Sequence, residues 1–398
     1  MKNVKPADRL SLVQEYYFSR KLKEVAQLNA EGRDIISLAI GSPDMPPSPQ
    51  TIERLCEVAH RPDAHGYQPT VGTPELRSAM AQFYERWYGV SVDWKSEVLP
   101  LIGSKEGILH VTLAFVNPGD AVLVPNPGYP TYTSLSRLLG AEVVNYDLQE
   151  NDGWQPDFEQ LEQIVNDRRE KGLSPVRLLW TNYPNMPTGG RARRETYERL
   201  VAFARRHGIV VVNDNPYSFI LSKEHLSLLQ VEGAKDCCIE FNSMSKSHNM
   251  PGWRVGLCAS NAQFIQWVLK IKSNIDSGTF RAIQLAAARA YDNSDEWHRM
   301  ANIETYARRR RVAEEILRTL DCQFDASQVG MFLWARIPES YADVEQLTEA
   351  LLHQARVFIT PGFIFGSAGA RYIRISLCAN EQKMTLALDR IKQWKNNI

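Results

Sequence analysis

The sequence predicts an α/β fold with two domains: a large domain with a mostly parallel sheet covered by helices, and a smaller α+β domain. A chain of 398 residues is longer than one small core requires, so two domains are expected. Between about residue 65 and about residue 290, short apolar runs rich in β-branched residues alternate with helical stretches. This alternation is typical of parallel strands joined by helices that lie on both faces of the sheet.

The strands predicted for the large domain are five short runs: Ala121–Val124, Arg177–Trp180, Ile209–Val212, Cys238–Phe241 and Arg254–Ala259. After about residue 290 the pattern changes to a long charged helix that is followed by further strands. The helix is predicted over Tyr306–Leu320, and the strands over Phe332–Ile337, Arg356–Ile359 and Tyr372–Leu377. We expect the first 45 residues to return to this part, so the predicted large domain spans residues 46–290 and the small domain spans 1–45 and 291–398.

Composition argues against several classes of partner. The 46 Lys and Arg residues balance the 46 Asp and Glu residues, so no charged field indicates nucleic acid, a membrane surface or a polyanion. The six cysteines lack CxxC spacing and nearby histidine clusters, so we expect reduced thiols and no metal site. The N-terminus lacks the apolar stretch of a signal peptide, and no apolar run reaches about 18 residues. We therefore expect a soluble cytoplasmic protein that acts on a small molecule.

Four polar loops follow the predicted parallel strands. Tyr129 lies in PNPGYP after the first strand, and TNYPNMPTG follows the second. Asp214 lies in NDNPY after the third strand, and Lys246 lies in NSMSKSHNMPGWR after the fourth. Ligands of open α/β sheets bind beyond the carboxyl ends of the strands, so we expect these four loops to form one site.

Each candidate residue also has an ordinary structural interpretation. Asp214 follows apolar β-formers, where a buried carboxylate requires a cationic partner, but it would also serve as a helix N-cap or in an Asx-turn. Lys246 taken alone would ordinarily be a solvated loop lysine, since the chain has 46 basic residues. The GSKEG segment (Gly103–Gly107) opens an apolar helix over Ile108–Phe115, and its first amides would suit a phosphate. The same letters also begin ordinary helices.

Taken together, the motifs resemble those of the fold-type I pyridoxal-phosphate aminotransferases, and within them the branch of the LL-diaminopimelate and alanine aminotransferases. The resemblance covers nearly the whole chain, from LAIGSPD (Leu38–Asp44) to YIRISL. Between these two motifs lie YQPTVGTPELR, GSKEG, NPGDAVLVPNPGYP, NYPNMPTGG, NDNPY, SMSKSHNMPGWRVG, SNIDSGTF and PGFIFG. The resemblance depends on the order and spacing of all these motifs, because any single motif could occur by chance.

The resemblance implies pyridoxal 5'-phosphate as the cofactor and gives roles to the residues around its ring. Lys246 would form the Schiff base and act as nucleophile and then as general acid and base. Asp214 would keep the pyridine nitrogen protonated, and Tyr217 would hydrogen-bond the ring hydroxyl. Tyr129 would stack on the ring; its alternative is a buried core tyrosine.

The resemblance also implies the ligands of the phosphate group and a homodimer with shared active sites. A dianion requires several donors. The implied donors are Ser104, Lys105, Ser243 and Arg254, with Tyr67 reaching in from a partner subunit.

Three residues are implied to bind the substrate. Arg374 would clamp the α-carboxylate, because the planar guanidinium matches the two oxygens of a carboxylate. Its alternative is a structural salt bridge to an Asp or Glu. Gly41 would let the backbone approach the same carboxylate closely. Tyr16 lies in YYF, which resembles the segment that covers the active site in the family.

One position departs from the family pattern. The family usually has Asn-Asn before Pro-Thr-Gly, and the second Asn donates to the ring hydroxyl and the substrate carboxylate. Here the pair is Asn185 and Met186, and a thioether has no comparable donor. Asn185 is therefore the expected cofactor-binding residue of this loop.

The predicted reaction is transfer of the amino group of an L-amino acid to a 2-oxo acid by a ping-pong route, with 2-oxoglutarate as the acceptor by family analogy. Two alternatives stay open: a carbon–sulfur β-lyase, which the same Lys, Asp and Arg would serve, and a catalytically silent cofactor-binding paralogue. Lys270 and Lys272 precede SNIDSG, where they would either meet a distal carboxylate of the substrate or be solvated helix lysines.

Overall fold

The computed structural model describes residues 4–13, 15 and 17–397. Within these residues the strands are β1 (Ile36–Ser37), β2 (Val98–Leu101), β3 (Ala121–Asn126), β4 (Glu142–Gln149), β5 (Gln155–Pro156), β6 (Val176–Thr181), β7 (Val210–Asp214), β8 (Cys238–Ser243), β9 (Gly256–Ala259), β10 (Phe332–Arg336), β11 (Val357–Phe358), β12 (Thr360–Pro361) and β13 (Tyr372–Ser376). The helices are α1 (Tyr17–Ala30), α2 (Pro49–Ala59), α3 (Pro74–Tyr88), α4 (Ser104–Phe115), α5 (Pro130–Leu138), α6 (Phe158–Glu170), α7 (Arg194–His207), α8 (Met244–Ser247), α9 (Ala262–Lys272), α10 (Arg281–Tyr291), α11 (Asp295–His298), α12 (Thr305–Thr319), α13 (Val344–Ala350) and α14 (Glu381–Asn396).

The centre of the molecule is an eight-stranded sheet with the order β2-β9-β8-β7-β6-β3-β4-β5. The pairs β4-β3, β3-β6, β6-β7 and β7-β8 are parallel, which confirms the predicted α/β fold with a mostly parallel sheet. The pairs β8-β9, β9-β2 and β4-β5 are antiparallel. Because β3, β6, β7 and β8 run in the same direction, the loops that follow them leave the same edge of the sheet.

The four central strands confirm the predicted runs to within a few residues, but the fifth run was wrong at its start. Strand β9 begins at Gly256 rather than at Arg254. Arg254 has φ of 57° and ends the short 3-10 turn Pro251–Trp253, so its backbone cannot continue a strand. Strands β2 and β4 were not predicted from the sequence.

The central sheet separates two layers of apolar core. Leu123, Leu179 and Val211 belong to the cluster on one face. Val122 and Leu178, their neighbours in sequence, belong to the cluster on the other face. Side chains alternate between the faces of a strand, so continuous apolar runs are what a sheet covered on both sides requires.

Local signals fix the ends of helix α3. The hydroxyl of Thr73 accepts a hydrogen bond from the amide of Leu76 at 3.3 Å, and Pro74 is the first helical residue. Gly89 ends the helix in the left-handed conformation, with φ of 61°. The helix predicted after GSKEG is confirmed as α4.

Two smaller sheets contain the C-terminal strands. One has the order β10-β13-β12 and is antiparallel, and in the other β1 pairs with β11 in parallel, Ile36 opposite Val357. The pairing of β1 with β11 supports the proposed return of the N-terminal segment to the C-terminal part. The predicted run Arg356–Ile359 was too long, because Arg356 has φ of 58° and Ile359 separates β11 from β12.

Among the described residues, no helix is both long enough and apolar enough to cross a bilayer.

Candidate active site

A cavity of about 480 Å³ opens at the carboxyl edge of the central sheet. Its walls come from the loops after β3, β6, β7 and β8, from the start of α4, and from α1, β10 and β13. Ten of the sequence-predicted site residues line it: Gly41, Ser104, Lys105, Tyr129, Asp214, Tyr217, Ser243, Lys246, Arg254 and Arg374.

Asp214 ends strand β7 and is 5% exposed. Its Oδ2 accepts a hydrogen bond from the hydroxyl of Tyr132 at 3.0 Å, whereas its buried Oδ1 has no hydrogen-bond partner among the described residues. Burial raises the pKa of Asp214 to about 6, although the Tyr132 hydrogen bond and the charge of Lys246 act in the opposite direction. The carboxylate therefore faces the cavity with an acceptor that the protein itself does not satisfy.

Lys246 lies in the short helix α8, directly after strand β8. Its Nζ donates to the carbonyl oxygen of Gly41 at 2.5 Å. Burial lowers the pKa of the amine, and the positive charges of Arg374 and Arg254 lower it further. A lowered pKa increases the fraction of neutral, nucleophilic amine.

The cavity also contains an anion cradle, made by the start of α4 and by the segment around α8. Gly103 precedes α4 with φ of 77°, and a Cβ at this position would overlap the guanidinium group of Arg254. Nη1 of Arg254 donates to Ser245 Oγ at 3.3 Å, and Ser243 Oγ accepts from the amide of Ser245 at 3.2 Å. Helix N-termini, hydroxyls and guanidinium groups all suit a phosphate.

Arg374 lies at the centre of β13 and is 4% exposed. Its Nη2 donates to the carbonyl oxygen of Ala39 at 2.7 Å. Its guanidinium carbon lies 4.0 Å from the ring centroid of Phe332 and 4.7 Å from that of Phe365. These rings hold the guanidinium group in a fixed orientation at the cavity wall.

Three tyrosines, Tyr129, Tyr132 and Tyr217, line the same cavity. Tyr129 and Tyr132 lie edge to face, with centroids 5.5 Å apart, and Tyr217 lies three residues after Asp214. Burial raises the pKa of Tyr129 and of Tyr217, so both hydroxyls remain protonated donors at neutral pH.

The structure does not bring Asn185 into the cavity. Its Oδ1 accepts from the hydroxyl of Thr188 at 2.8 Å, and its Nδ2 donates to the carbonyl oxygen of Asn182 at 3.2 Å, so its side chain stabilises its own loop. Asn182 and Met186 line the cavity instead. The sulfur of Met186 lies 3.3 Å from Nη1 of Arg374. In this chain the thioether therefore contacts the guanidinium group directly.

Two other predicted residues lie elsewhere. Tyr67 is 95% exposed and does not line the cavity. Tyr16 lies outside the described residues.

The two lysines before SNIDSG also lie away from the cavity walls. Lys272 is 2% exposed and forms ion pairs with Glu106 and Asp276, so it is neither a solvated helix lysine nor open to a substrate in this cavity. Lys270 is exposed.

Three residues that line the cavity were not predicted from the sequence: Tyr132, Ser245 and Asn182. Tyr132 lies one helical turn after Tyr129, a spacing that places two side chains on the same face. Asn182 directly follows β6, so the signal that found Asp214 also applied to it. Ser245 directly precedes Lys246 in SMSKS.

The family model described as aminotransferase class I and II matches residues 33–391 of this chain. An LL-diaminopimelate aminotransferase from Dehalococcoides mccartyi is 40% identical over 396 residues, which is 99% of this chain and 100% of that protein. An LL-diaminopimelate aminotransferase from Nitratidesulfovibrio vulgaris is 39% identical over 394 residues, covering 98% of this chain and 99% of the relative.

Solved structures show the same similarity in three dimensions. Substrate-bound BacF from Bacillus subtilis superposes with a TM-score of 0.91 at 33% identity, covering 98% of each chain. An aromatic aminotransferase from Pyrococcus horikoshii has a TM-score of 0.86 at 28% identity, covering 97% of each chain.

Proposed function

This chain belongs to the class I and II aminotransferase family, and we propose that it is a pyridoxal-phosphate enzyme that moves the amino group of an L-amino acid to a 2-oxo acid. We take 2-oxoglutarate as the acceptor and a ping-pong route as the kinetic scheme. The family membership is shown by the match over residues 33–391. The cofactor, the acceptor and the route belong to the proposal.

One observation carries the proposal: the buried, unpartnered Oδ1 of Asp214 at the cavity wall. A protonated pyridine nitrogen supplies both the N–H donor and the positive charge that this oxygen lacks. The anion cradle, with Gly103 leaving room for Arg254, suits the phosphate of the same cofactor. Asp214 therefore suits the ring of pyridoxal phosphate, and the anion cradle suits its phosphate group.

When bound, pyridoxal phosphate supplies a carbonyl that reacts with amino groups and a conjugated ring that accepts the electron pair left when the substrate Cα loses its proton. Lys246 would hold the cofactor covalently through Nζ, which the carbonyl oxygen of Gly41 orients. After a substrate amine takes its place, the neutral amine of Lys246 would remove the proton from the substrate Cα and deliver it to the cofactor carbon that carried the carbonyl; with the 2-oxo acid it would carry a proton in the reverse direction. Its lowered pKa suits both directions of this transfer.

Asp214 and Tyr217 would act on the ring. Pairing with the pyridine nitrogen would return the pKa of Asp214 from about 6 toward its ordinary value, so that the carboxylate stays ionised. Tyr217 would donate to the ring hydroxyl, and Tyr129 would face the ring.

Arg374 would orient the substrate. Its hydrogen bond to Ala39 fixes one nitrogen, and the rings of Phe332 and Phe365 shield the guanidinium group from water. A shielded guanidinium binds a carboxylate more strongly than a solvated one. This contact would hold Cα beside Nζ of Lys246.

We also propose a homodimer in which Tyr67 completes the phosphate site of the partner subunit. Its 95% exposure outside the cavity leaves the side chain available to a second chain. Tyr67→Phe should weaken cofactor binding without preventing dimerisation, as measured by cofactor titration and sedimentation. A fully active monomer, or unchanged cofactor affinity in Tyr67→Phe, would contradict the shared site.

A cytoplasmic location is part of the same proposal. All six cysteines are free thiols, and five of them are buried, as is usual in a reducing compartment.

The experiment that tests the function is a half-reaction screen. Purified protein saturated with pyridoxal phosphate is mixed with single L-amino acids while the absorbance of the cofactor is followed; 2-oxoglutarate is then added and glutamate is measured. The proposal predicts one 2-oxo acid released per site and glutamate formed only after the acceptor is added. Release of ammonia and pyruvate without an acceptor would instead identify a β-lyase, and no spectral change with any amino acid would indicate a silent paralogue.

A further inference from the structure

A second group of charged side chains, buried or partly buried, lies outside the cavity, between α4 and the C-terminal end of α9. Nζ of Lys272 donates to Glu106 Oε1 at 2.9 Å and to both carboxylate oxygens of Asp276 at 2.8 Å. Nε2 of His110, whose ring is fully buried, lies 2.8 Å from the same Glu106 oxygen and 3.3 Å from Asp276. These four residues are called the charge network below. Its ammonium group is placed between two carboxylates that would otherwise repel each other.

The charge network fixes the first turn of α4. Glu106 is the third residue of this helix, and its Oε2 accepts a hydrogen bond from the backbone amide of Ile102 at 2.5 Å. A carboxylate at this position that reaches back to an amide before the helix fixes the direction of chain entry. Ser104 and Lys105, which line the anion cradle, directly precede Glu106. The ion pair of Lys272 with Glu106 is therefore connected to the cradle through consecutive residues of the first turn of α4.

The charge network also fixes the segment beside Tyr67. The amide of Asp276 donates to the carbonyl oxygen of Lys272 at 3.0 Å. Two residues later, Gly278 forms an isolated antiparallel bridge with Gln68, the neighbour of Tyr67. A Cβ on Gly278 would overlap the carbonyl oxygen of Gln68, so the two segments are in close contact.

We infer that Lys272 is a positioning residue for the cofactor phosphate, acting through Glu106 on the cradle of its own subunit and through Asp276 on the Tyr67 segment that serves the partner subunit. The inference rests on the proposed function, because it presumes a phosphate in the cradle and a shared site. Without the ammonium group, Glu106 and Asp276 repel each other, and both sets of phosphate donors lose their fixed positions.

The test compares two ligands that differ only in the phosphate. Cofactor-free wild type and Lys272→Met are titrated with pyridoxal phosphate and with pyridoxal, which lacks the phosphate group. The Kd for pyridoxal phosphate should rise about tenfold in the variant, because a small displacement of aligned donors weakens binding. The Kd for pyridoxal should stay unchanged. A merely structural role would weaken both ligands alike, and equal loss for both, or no loss for either, overturns the inference.

A matched control is available in Lys235→Met. Lys235 forms a partly buried ion pair with Glu97 at 2.7 Å, and neither residue lines the cavity. This variant should bind both ligands as wild type does. If Lys272→Met does not yield folded protein, the double variant Lys272→Met/Asp276→Asn, which removes one charge of each sign, is measured with the same two ligands and the same criteria.

Hybrid dimers separate the two routes of action. One subunit carries Lys246→Ala, so that the other subunit holds the single lysine able to attach the cofactor. When Lys272→Met is placed in the same subunit as Lys246→Ala, it can affect the cofactor site of the other subunit only through Tyr67. The Kd for pyridoxal phosphate at that site should still rise. An unchanged Kd in this hybrid overturns the route through Tyr67. Failure of wild type to attach the cofactor at all would refute the proposed function instead.

Discussion

Two buried carboxylates on neighbouring strands differ in how many hydrogen bonds they accept from the protein. Glu240 in β8 is fully buried and accepts four hydrogen bonds, from Tyr84, Ser227, Asn213 and the amide of Leu228. Asp214, at the end of β7, accepts one hydrogen bond and has a buried oxygen that accepts none from the described residues. Burial raises the pKa of both groups, so the difference lies in how far the protein satisfies them.

One buried and one partly buried lysine repeat this contrast. Lys272 is held between two carboxylates, as a buried ammonium requires. Lys246 donates to one carbonyl oxygen and forms no ion pair with a described carboxylate, and burial lowers the pKa of its amine. The protein supplies partners for the charges of Glu240 and Lys272. At the cavity, in contrast, Asp214 keeps an oxygen without a hydrogen-bond partner among the described residues, and Lys246 forms no ion pair with a described carboxylate. Such exceptions mark functional sites because a ligand completes them.

The largest expected effect is the difference in turnover between substitutions of Lys246 and of Lys272. Lys246→Ala should lower turnover at least about 10⁴-fold with little change in fold, because it removes both the covalent attachment and the proton carrier. Lys272→Met should instead lower the free energy of unfolding by about 1.5–3 kcal/mol, because it leaves two partly buried carboxylates without their ammonium partner. Turnover of its folded fraction at saturating cofactor should remain within about tenfold of wild type. Steady-state kinetics measures the turnover, and chemical denaturation measures the free energy of unfolding. Similar turnover in the two variants would contradict the different roles given to Lys246 and Lys272.

The next largest effect is the difference in turnover between substitutions of Asp214 and of Glu240. Asp214→Asn should lower turnover on the order of 10³-fold while the fold is retained, because the charge that holds the ring nitrogen protonated is lost. Glu240→Gln, the matched control, should leave turnover of the folded fraction nearly unchanged. It should cost about 1–3 kcal/mol of stability, because the amide presents its N–H groups to buried donors. Half-reaction rates near those of wild type in Asp214→Asn would show that the carboxylate has another role.

The pH dependence of the cofactor-free protein sharpens the same comparison. The pKa of Asp214 is about 6 in the folded chain and about 3.8 as a free side chain, so the folded state binds more protons between these values. This group therefore makes the folded state less stable as pH rises from about 4 to about 6. Asp214→Asn should remove the loss and stabilise the cofactor-free protein at pH 7 by up to about 3 kcal/mol. Denaturant titrations at pH 4.5 and pH 7 measure it, and lower stability of the variant at pH 7 would contradict the assignment of Asp214 as unsatisfied.

The smallest expected effect concerns Met186. With Asn185 engaged in its own loop, Tyr217 is the donor proposed for the ring hydroxyl oxygen, whose charge must be stabilised when the Schiff base on Lys246 loses its proton. Met186→Asn adds a donor and should lower the pKa of this Schiff base by about 1 to 2, since one hydrogen bond to a charged group contributes about 1.5–3 kcal/mol. Met186→Leu, which adds no donor, should leave the pKa unchanged. Spectrophotometric titration compares the three proteins, and an unchanged or raised pKa in Met186→Asn would contradict this role.

The sequence predicted the sheet because its strands are continuous apolar runs, and a parallel sheet has one carboxyl edge. That geometry is enough to place the loops of Tyr129, Asp214 and Lys246 around one cavity. The resemblance to a known family added Arg374, which lies about 130 residues further along the chain on a different sheet. No local pattern brings such distant residues together.

What the sequence could not show depends on tertiary contacts. Asn185 and Asn182 are both polar residues of one loop, and only the folded loop shows that Asn185 binds Thr188 while Asn182 lines the cavity. The sequence around Lys272 is that of an ordinary solvated helix lysine. Only the folded structure shows that Glu106 and Asp276 lie beside it. The extent of strand β9 depended on the backbone of Arg254, which turns at a positive φ.

The most direct test of the account asks which lysine the cofactor selects. Protein saturated with pyridoxal phosphate is reduced with borohydride, digested and mapped by mass spectrometry. We predict a single phosphopyridoxyl group, on Lys246, because it is the partly buried lysine that lines the cavity without a carboxylate partner among the described residues. A label on Lys272 or on any other lysine, or no label at all, would contradict the central claim that the unsatisfied charges of this cavity form the cofactor site.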